Sequence, residues 1–343
     1  MSSPVNIVPA GGTRIWSRVV TVVLVVLAAA AGALELVPVH YYAIVPGDAL
    51  PVQRFIHMKG YPPPKGAGRL YMVDVGVIPV DHLLEKLYWE TQPNTELDKA
   101  QAVSGNLSNA QYEELNNQLM RQSIQTAEIV ALRLAGYRLS YLNGPVVVLV
   151  LPHYPADGKV HVGDIIEGVD GSATPTIEAV SAVIKARRPG SVVTLSVVRH
   201  AKKVLLHVPT KSVSGKAVIG IEAQNRIHMP VSININPGDI GGPSGGLMFT
   251  LGLVERLEHR DLAHGCRIAG TGEIEPDGSV YAIGGAPQKV VAAEQKGAVL
   301  FLVPDYPDNV NPARAHAHNV RVVPVKTARQ ALRILNAIHP CRP

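Results

Sequence analysis

The chain has 343 residues, 47% of them apolar and 17% charged, which excludes an intrinsically disordered polypeptide and leaves room for two or three folded units. The formal net charge is +5, but the lysines and arginines are scattered, with only short pairs such as Arg187-Arg188 and Lys202-Lys203. No basic stripe interleaved with aromatics suits nucleic acid, and no Cys/His spacing suits a metal.

Residues 1–18 carry Arg14 and Arg18 ahead of an apolar run from Val19 to Leu34, which resumes after Glu35 as far as Val39. About 20 mostly apolar residues cross a bilayer as a helix, so 19–39 is expected to span a membrane once. Positive charge on its N-terminal side places residues 1–18 in the cytoplasm and everything beyond residue 40 outside. A cleaved signal peptide is the alternative, with Val19–Leu27 as its core and Ala28 to Ala33 as a small-residue cleavage region. Either way the bulk of the chain is exported. Cys266 and Cys341 both fall there, either joined as a disulfide that pins the C-terminal tail or left as two buried thiols.

Residues 40–136 are expected to form a linker and a strand/helix segment packed with the last domain. Within them GYPPPKGAG, 60–68, is an irregular connector. The alternation over 69–77 predicts a strand. Ser108 caps a helix over 108–135 with Leu115, Leu119, Ile129, Leu132 and Leu134 as its apolar face.

From 137 to 210 the pattern becomes β-rich: a run over 146–151, the phrase VGDIIEGVDG over 162–171, a capped helix over 176–187 and a closing strand over 191–198. That order, with its GDII and VDG core, resembles a PDZ domain. The resemblance implies a groove for a peptide C-terminus, with backbone N–H groups near Leu142 to Pro145 on the carboxylate. Gly144, Val146 and Val148 are expected on one side of that groove and Ile177, Val180 and Ile184 on the other.

Residues 211–343 alternate strands and helices: strands over 231–235, 268–273, 280–283, 299–303 and 320–325, helices over 244–257, 287–296 and 328–338. Gly241-Gly242-Pro243-Ser244-Gly245-Gly246 puts a serine at a helix start, where backbone approaches a ligand closely and free N–H groups face a developing oxyanion. Gly284-Gly285-Ala286-Pro287-Gln288-Lys289 opens another helix, with Pro287 suited to its first position. A lysine in a first turn among apolar neighbours has a depressed pKa, and once neutral it takes a proton from a serine hydroxyl.

GGPSGG, the TGEI stretch 271–274 and DGSVYAIGGAPQK over 277–289 resemble the proteolytic domain of Lon peptidases. The whole order is similar to membrane-anchored PDZ and Lon-type proteases of bacteria: an α+β protein with a transmembrane helix, a PDZ-like module and a C-terminal Lon-type domain. The resemblance implies Ser244 as nucleophile and Lys289 as general base. Thr271 would orient the lysine, with Asp239 a supporting residue, and Gly242, Pro243 and Gly245 would form the oxyanion loop. Gly245 departs from the alanine frequent in the family, which loosens the loop. No GxxxxGK[ST] phosphate loop occurs in the sequence, so the expectation is an ATP-independent endopeptidase for unfolded or membrane-proximal proteins, without cofactor or nucleotide. A homo-oligomer is implied by the resemblance. Two rivals compete: a Ser-His-Asp hydrolase built on GPSGG, with Asp305 and His316 or His318, and a non-catalytic anchored scaffold.

Overall fold

A computed structural model describes residues 12–341 apart from Ala67 and Asn106. In chain order the elements used below are helix α1 (Gly12–Glu35), strands β1 (Pro38–Pro51) and β2 (Arg69–His82), α2 (Leu83–Glu90), β3 (Glu96–Lys99) and α3 (Asn109–Leu134). Next come β4 (Val146–Val150), β5 (Ile165–Val169), α4 (Ile177–Lys185), β6 (Val192–Arg199), β7 (Lys202–Pro209), β8 (Lys211–Val213), β9 (Lys216–Val218) and β10 (Ile221–Gln224). The last stretch holds α5 (Gly246–Leu257), β11 (Arg267–Gly270), β12 (Glu273–Ile274), β13 (Val280–Tyr281), α6 (Ala286–Gln295), β14 (Leu300–Pro304), α7 (Pro307–His316), β15 (Arg321–Val325) and α8 (Ala328–Asn336).

The chain divides into two compact units, and the first is discontinuous: residues up to Ala135 fold with Ile233 onward, while Gly136–Ser232 forms the second. Among the described residues the first unit holds a six-stranded sheet of order β15-β14-β11-β2-β1-β3. Strands β2, β11, β14 and β15 run parallel, and β1 runs antiparallel to both β2 and β3. Burial explains the middle of this order. Leu70, Tyr71, Met72 and Val73 of β2 are all buried, as every residue of β14 is, and strands covered on both faces carry continuous apolar runs rather than alternation. Every residue of α5 is buried as well, as its nearly uniform apolar surface requires.

Several boundaries differ from the sequence expectation. The apolar helix ends at Glu35, and Pro38 already opens β1, a 14-residue strand whose turn-like residues concealed it. Thr271 and Gly272 separate β11 from β12, so 268–273 is two strands and a link. On α3, Ser108 caps through Gln111 as expected, but Leu115 is exposed and the buried face is Met120, Ser123, Ala127 and Ile129 to Leu132. Helix α7 was not expected, because Pro312 lies inside it. Cys266 and Cys341 form a disulfide.

The second unit holds a five-strand path β7-β6-β5-β4-β10. Its core is Val147, Ile166, Val169, Val180, Ile184, Val193, Leu195 and Val197, and α4 starts at Thr176, whose side chain accepts the Ala179 N–H.

Candidate active site

The glycine-rich loop before α5 is held from two directions. The Gly242 N–H donates to the Asn116 carbonyl at 2.9 Å, and the Ser123 hydroxyl donates to the Pro243 carbonyl at 2.8 Å, so α3 fixes the loop by both backbone and side chain. Gly242 sits at φ +82°, a conformation other residues adopt only with strain. Pro243–Gly245 is one turn of 3-10 helix that leads into α5, so Ser244 lies just before the α-helix proper rather than as its first residue. A Cβ on Gly246 would lie 2.5 Å from Ser123 Oγ and 2.6 Å from Ile274 Cγ2. The glycine is what lets α3, β12 and the loop converge. The first N–H groups of such a helical start have no intrahelical acceptor and carry positive potential. Pro243 itself has no N–H, so it shapes the loop without donating to an anion.

Lys289 is reached from the other side. Gly285 caps α6 in the left-handed region at φ +68°, with Val75 of β2 only 2.8 Å from where a Cβ would be. Ala286 and Pro287 follow, placing Pro287 second rather than first, and the Lys289 N–H closes the first turn on the Gly285 carbonyl at 2.9 Å. The Lys289 side chain is 3% exposed. Its Nζ lies 2.8 Å from Ser244 Oγ and 3.3 Å from Thr271 Oγ1. Thr271 is fully buried, and its hydroxyl donates to the Ser244 carbonyl at 3.2 Å. That bond uses the only proton Thr271 Oγ1 has, so its lone pairs face the amine and fix where Nζ sits.

Burial of Lys289 pushes its pKa down to about 8, and the Asp74 carboxylate offsets part of that fall. Asp74, on β2, was not among the residues singled out from the sequence. It is half-buried, and its pKa is raised, chiefly by burial, with the Asp48 charge adding to the rise and Lys289 opposing it. Its carboxylate accepts the Asp48 N–H at an irregularity in the β1–β2 pairing between Pro46 and Ala49. Gly47 makes this approach possible, since a Cβ there would lie 2.2 Å from Asp74 Oδ1.

Ser244, Lys289 and Asp74 line one cleft of about 1450 Å³, with Gly242, Pro243 and Gly245 on its wall. Asp239 also lines it but is exposed, so the acid that acts electrostatically on the lysine is Asp74. The residues of a Ser-His-Asp triad are not assembled there. His316 Nδ1 meets the Pro312 carbonyl at 2.9 Å, His318 faces Glu294, and Asp305 faces Lys326.

In the second unit Ile177, Val180 and Ile184 line a cavity of about 530 Å³ whose opposite wall is Ile219–Ala223. Gly144, Val146 and Val148 are absent from that lining. The reason is sheet order. One edge of β4 is paired with β10, and on the other side the Val147 N–H and carbonyl bond to Asp164 and Gly163. Among the described residues β4 is thus paired along one edge by β10 and at Val146 and Val147 on the other, whereas β10 ends the sheet. The residues that sequence reasoning missed are Gly220 and Ile221 in VIGI, a glycine at φ +83° between β-branched residues.

Two family models match the chain, with bounds that overlap the two units without coinciding with them. The family model of the Lon protease (S16) C-terminal proteolytic domain matches residues 211–335, and that of the PDZ domain matches 123–198. The chain is 31% identical over 113 residues to the Lon protease of Trichlorobacter lovleyi, covering 32% of this chain and 13% of that protein. It is 34% identical over 105 residues to the Lon protease of Roseiflexus castenholzii, covering 30% and 11%. The matched segment is thus a small part of those relatives. Among solved structures, the PDZ domain of the SdrC-like protein from Listeria monocytogenes is 23% identical over 24% of this chain and 90% of its own, with a TM-score of 0.23. A protein from Geobacillus thermodenitrificans, solved in solution, is 25% identical over 23% of this chain and 95% of its own, with a TM-score of 0.22.

Proposed function

We propose that this chain, which carries a PDZ domain and a Lon-type proteolytic domain, is an ATP-independent serine endopeptidase with Ser244 as nucleophile and Lys289 as general base. The observation that carries the proposal is the 2.8 Å approach of a fully buried amine to a serine hydroxyl at a helix start.

With its pKa near 8, Lys289 is neutral in a useful fraction of molecules at neutral pH. The neutral amine accepts the Ser244 proton as Oγ attacks the scissile carbonyl carbon. The carbonyl π electrons move onto oxygen, and the resulting oxyanion lies against the N–H groups at the start of the 3-10 turn, with the field of α5 behind them. When the tetrahedral species collapses, the C–N bond breaks and the Lys289 ammonium returns its proton to the leaving amine. Water then attacks the acyl ester, losing its proton to the same amine, and Ser244 regains it as the acid product departs. Thr271 holds Nζ in line through both halves. Asp74 favours the ammonium that forms in each, and Asp239 lies at the rim as a weaker supporting residue.

Helix α1 supplies the context: Arg18–Glu35 is long and apolar enough to cross a membrane and is unburied. We read it as a single-pass anchor with Arg14 and Arg18 on the cytoplasmic side, so that the cleft faces unfolded or membrane-proximal protein segments outside. The Cys266–Cys341 disulfide supports that placement, because such bonds persist in oxidising compartments. The PDZ domain would present or gate substrate through the cavity between α4 and β10.

The test is cleavage of an unfolded protein by the intact chain without ATP, alongside covalent labelling by a serine-directed phosphonate. Ser244→Ala and Lys289→Ala should each abolish cleavage, and label should appear on Ser244 of the unsubstituted chain alone. Retained cleavage in Lys289→Ala sinks the Ser–Lys assignment, and a folded chain that neither cleaves nor labels is a scaffold.

A further inference from the structure

Helix α2 has eight residues, LLEKLYWE, and none of them is buried. Its start is secured by a capping box between His82 and Glu85. A helix this short does not persist in water on propensity alone; α2 packs against β1, β2 and β3, which leaves one apolar face turned outward. Leu84, Leu87 and Tyr88 follow the i, i+3, i+4 spacing of one helix face, and they are 36%, 41% and 56% exposed. Lys86 does not serve that face: it lies over the Tyr41 ring and pairs with Glu90.

The position of this face says what covers it. The Leu83 N–H donates to the Val37 carbonyl at 3.0 Å, which ties the start of α2 to a residue two positions beyond the end of α1, and the two helices are in contact. Leu36 and Val37 are themselves 82% and 42% exposed. Exposed apolar residues therefore lie on α1, at Leu36 and Val37 just beyond the exposed Glu35, and on α2 beside them. Trp89, edge-on to Tyr88, completes a tyrosine–tryptophan pair of the kind that settles at membrane–water boundaries.

We propose that α2 lies in the interfacial layer of the membrane that α1 enters, with Leu84, Leu87 and Tyr88 turned to the acyl boundary, giving the proteolytic unit a second contact with the bilayer. This rests on α1 being a retained anchor and adds an orientation to it: a single flexible tether would let the cleft face any direction, whereas two contacts fix it toward membrane-proximal substrate. Asp81, Glu85 and Glu90 against Lys86 leave the helix without positive excess, so the attraction is apolar and independent of anionic lipid.

The sequence contains two tryptophans, Trp16 and Trp89, so a Trp16→Phe chain reports on α2 alone. The full-length variant is reconstituted in phosphatidylcholine vesicles brominated at shallow or deep acyl positions, with flotation and alkaline extraction on the same samples. Shallow bromines should lower Trp89 emission about twofold, deep bromines much less, with or without phosphatidylserine. Adding Leu84→Gln, Leu87→Gln and Tyr88→Gln should abolish the quenching while flotation persists. Unquenched Trp89 in a chain that floats and resists alkali overturns the proposal and leaves the anchor standing. So does quenching that survives the triple change, or a blue-shifted, unquenched emission that marks a protein partner. A chain that alkali extracts overturns the anchor, and this placement with it.

Discussion

On the Ser–Lys proposal the residue that decides the chemistry is Lys289, whose burial lowers its pKa and so bears on both activity and stability. The carboxylate of Asp74 favours the charged amine, so removing that charge lowers the lysine pKa further. The acid limb of kcat/KM for the intact chain should fall near pH 8, and Asp74→Asn should move it to lower pH, the amide still accepting the Asp48 N–H. A limb that stays put or moves upward means Asp74 does not act through the lysine. The same burial has a cost in folding. A folded pKa of about 8 against an ordinary 10.5 means the folded state binds fewer protons than the unfolded chain between those values. The penalty is fully present below pH 8 and disappears above 10.5. Lys289→Met, inactive, should therefore be more stable at pH 7 by up to about 3 kcal/mol, with the gain fading as pH rises from 8 to 10.5. Calorimetric melting of both chains across that range checks it, and an equal or lower Tm at pH 7 would refute a strained lysine.

At the scale of elements, the site is a convergence of α3, β12 and the starts of α5 and α6, and close packing limits which glycines can change. A Cβ on Gly246 meets Ser123 and Ile274 below 2.7 Å, so Gly246→Ala should cost about 1–3 kcal/mol and most of the activity by prising the loop from α3. The atoms nearest a Cβ on Gly245 are the ring edge of Phe249 at 3.2 Å and the Met72 methyl at 3.5 Å, side-chain contacts that need a shift of only a few tenths of an ångström. Gly245→Ala should fold and cleave much as the parent does; denaturant melts and initial rates on one substrate compare the pair. These limits also show what a single sequence conveys. Ser244 and Lys289 stand out because glycine, proline and serine at helix starts are local signals, and the capped helices begin within a residue or two of Ser108 and Thr176 for the same reason. Asp74 was silent because nothing near it in sequence hints at a charge partner 215 positions later; only the β1 irregularity and the parallel pairing of β2 with β11 bring it to the lysine. That Gly144, Val146 and Val148 lie outside the cavity beside α4 has a like cause. The run at 146–150 has the right composition for a ligand-binding strand, but β10, distant in sequence, pairs with it and takes the edge.

For the whole molecule, the discontinuous first unit is the dominant fact. Its sheet is closed only when β1 to β3 from the start of the chain meet β11, β14 and β15 from the end, with the second unit's residues inserted between. Contacts so distant in sequence carry a large loop-closure entropy. Within the later segment, the Cys266–Cys341 bond ties the tail after α8 to the residue before central strand β11 and restricts the unfolded chain there. The crosslink spans 75 residues, for which the chain-entropy estimate is about 4 kcal/mol and typical measured losses are about 2–5 kcal/mol. Cys341→Ser, whose bulk near the surface matters little, should therefore lower the denaturant midpoint by an amount of that order without moving Ser244 or Lys289, which lie on other elements. Cleavage at low temperature should survive while the half-life at elevated temperature shortens, and reductant should bring the parent chain down to the variant's midpoint. Equal midpoints for parent and variant under oxidising conditions would mean that the tail contributes nothing to the fold. A loss of low-temperature activity at unchanged midpoint would mean that β11 transmits the bond's constraint to Thr271.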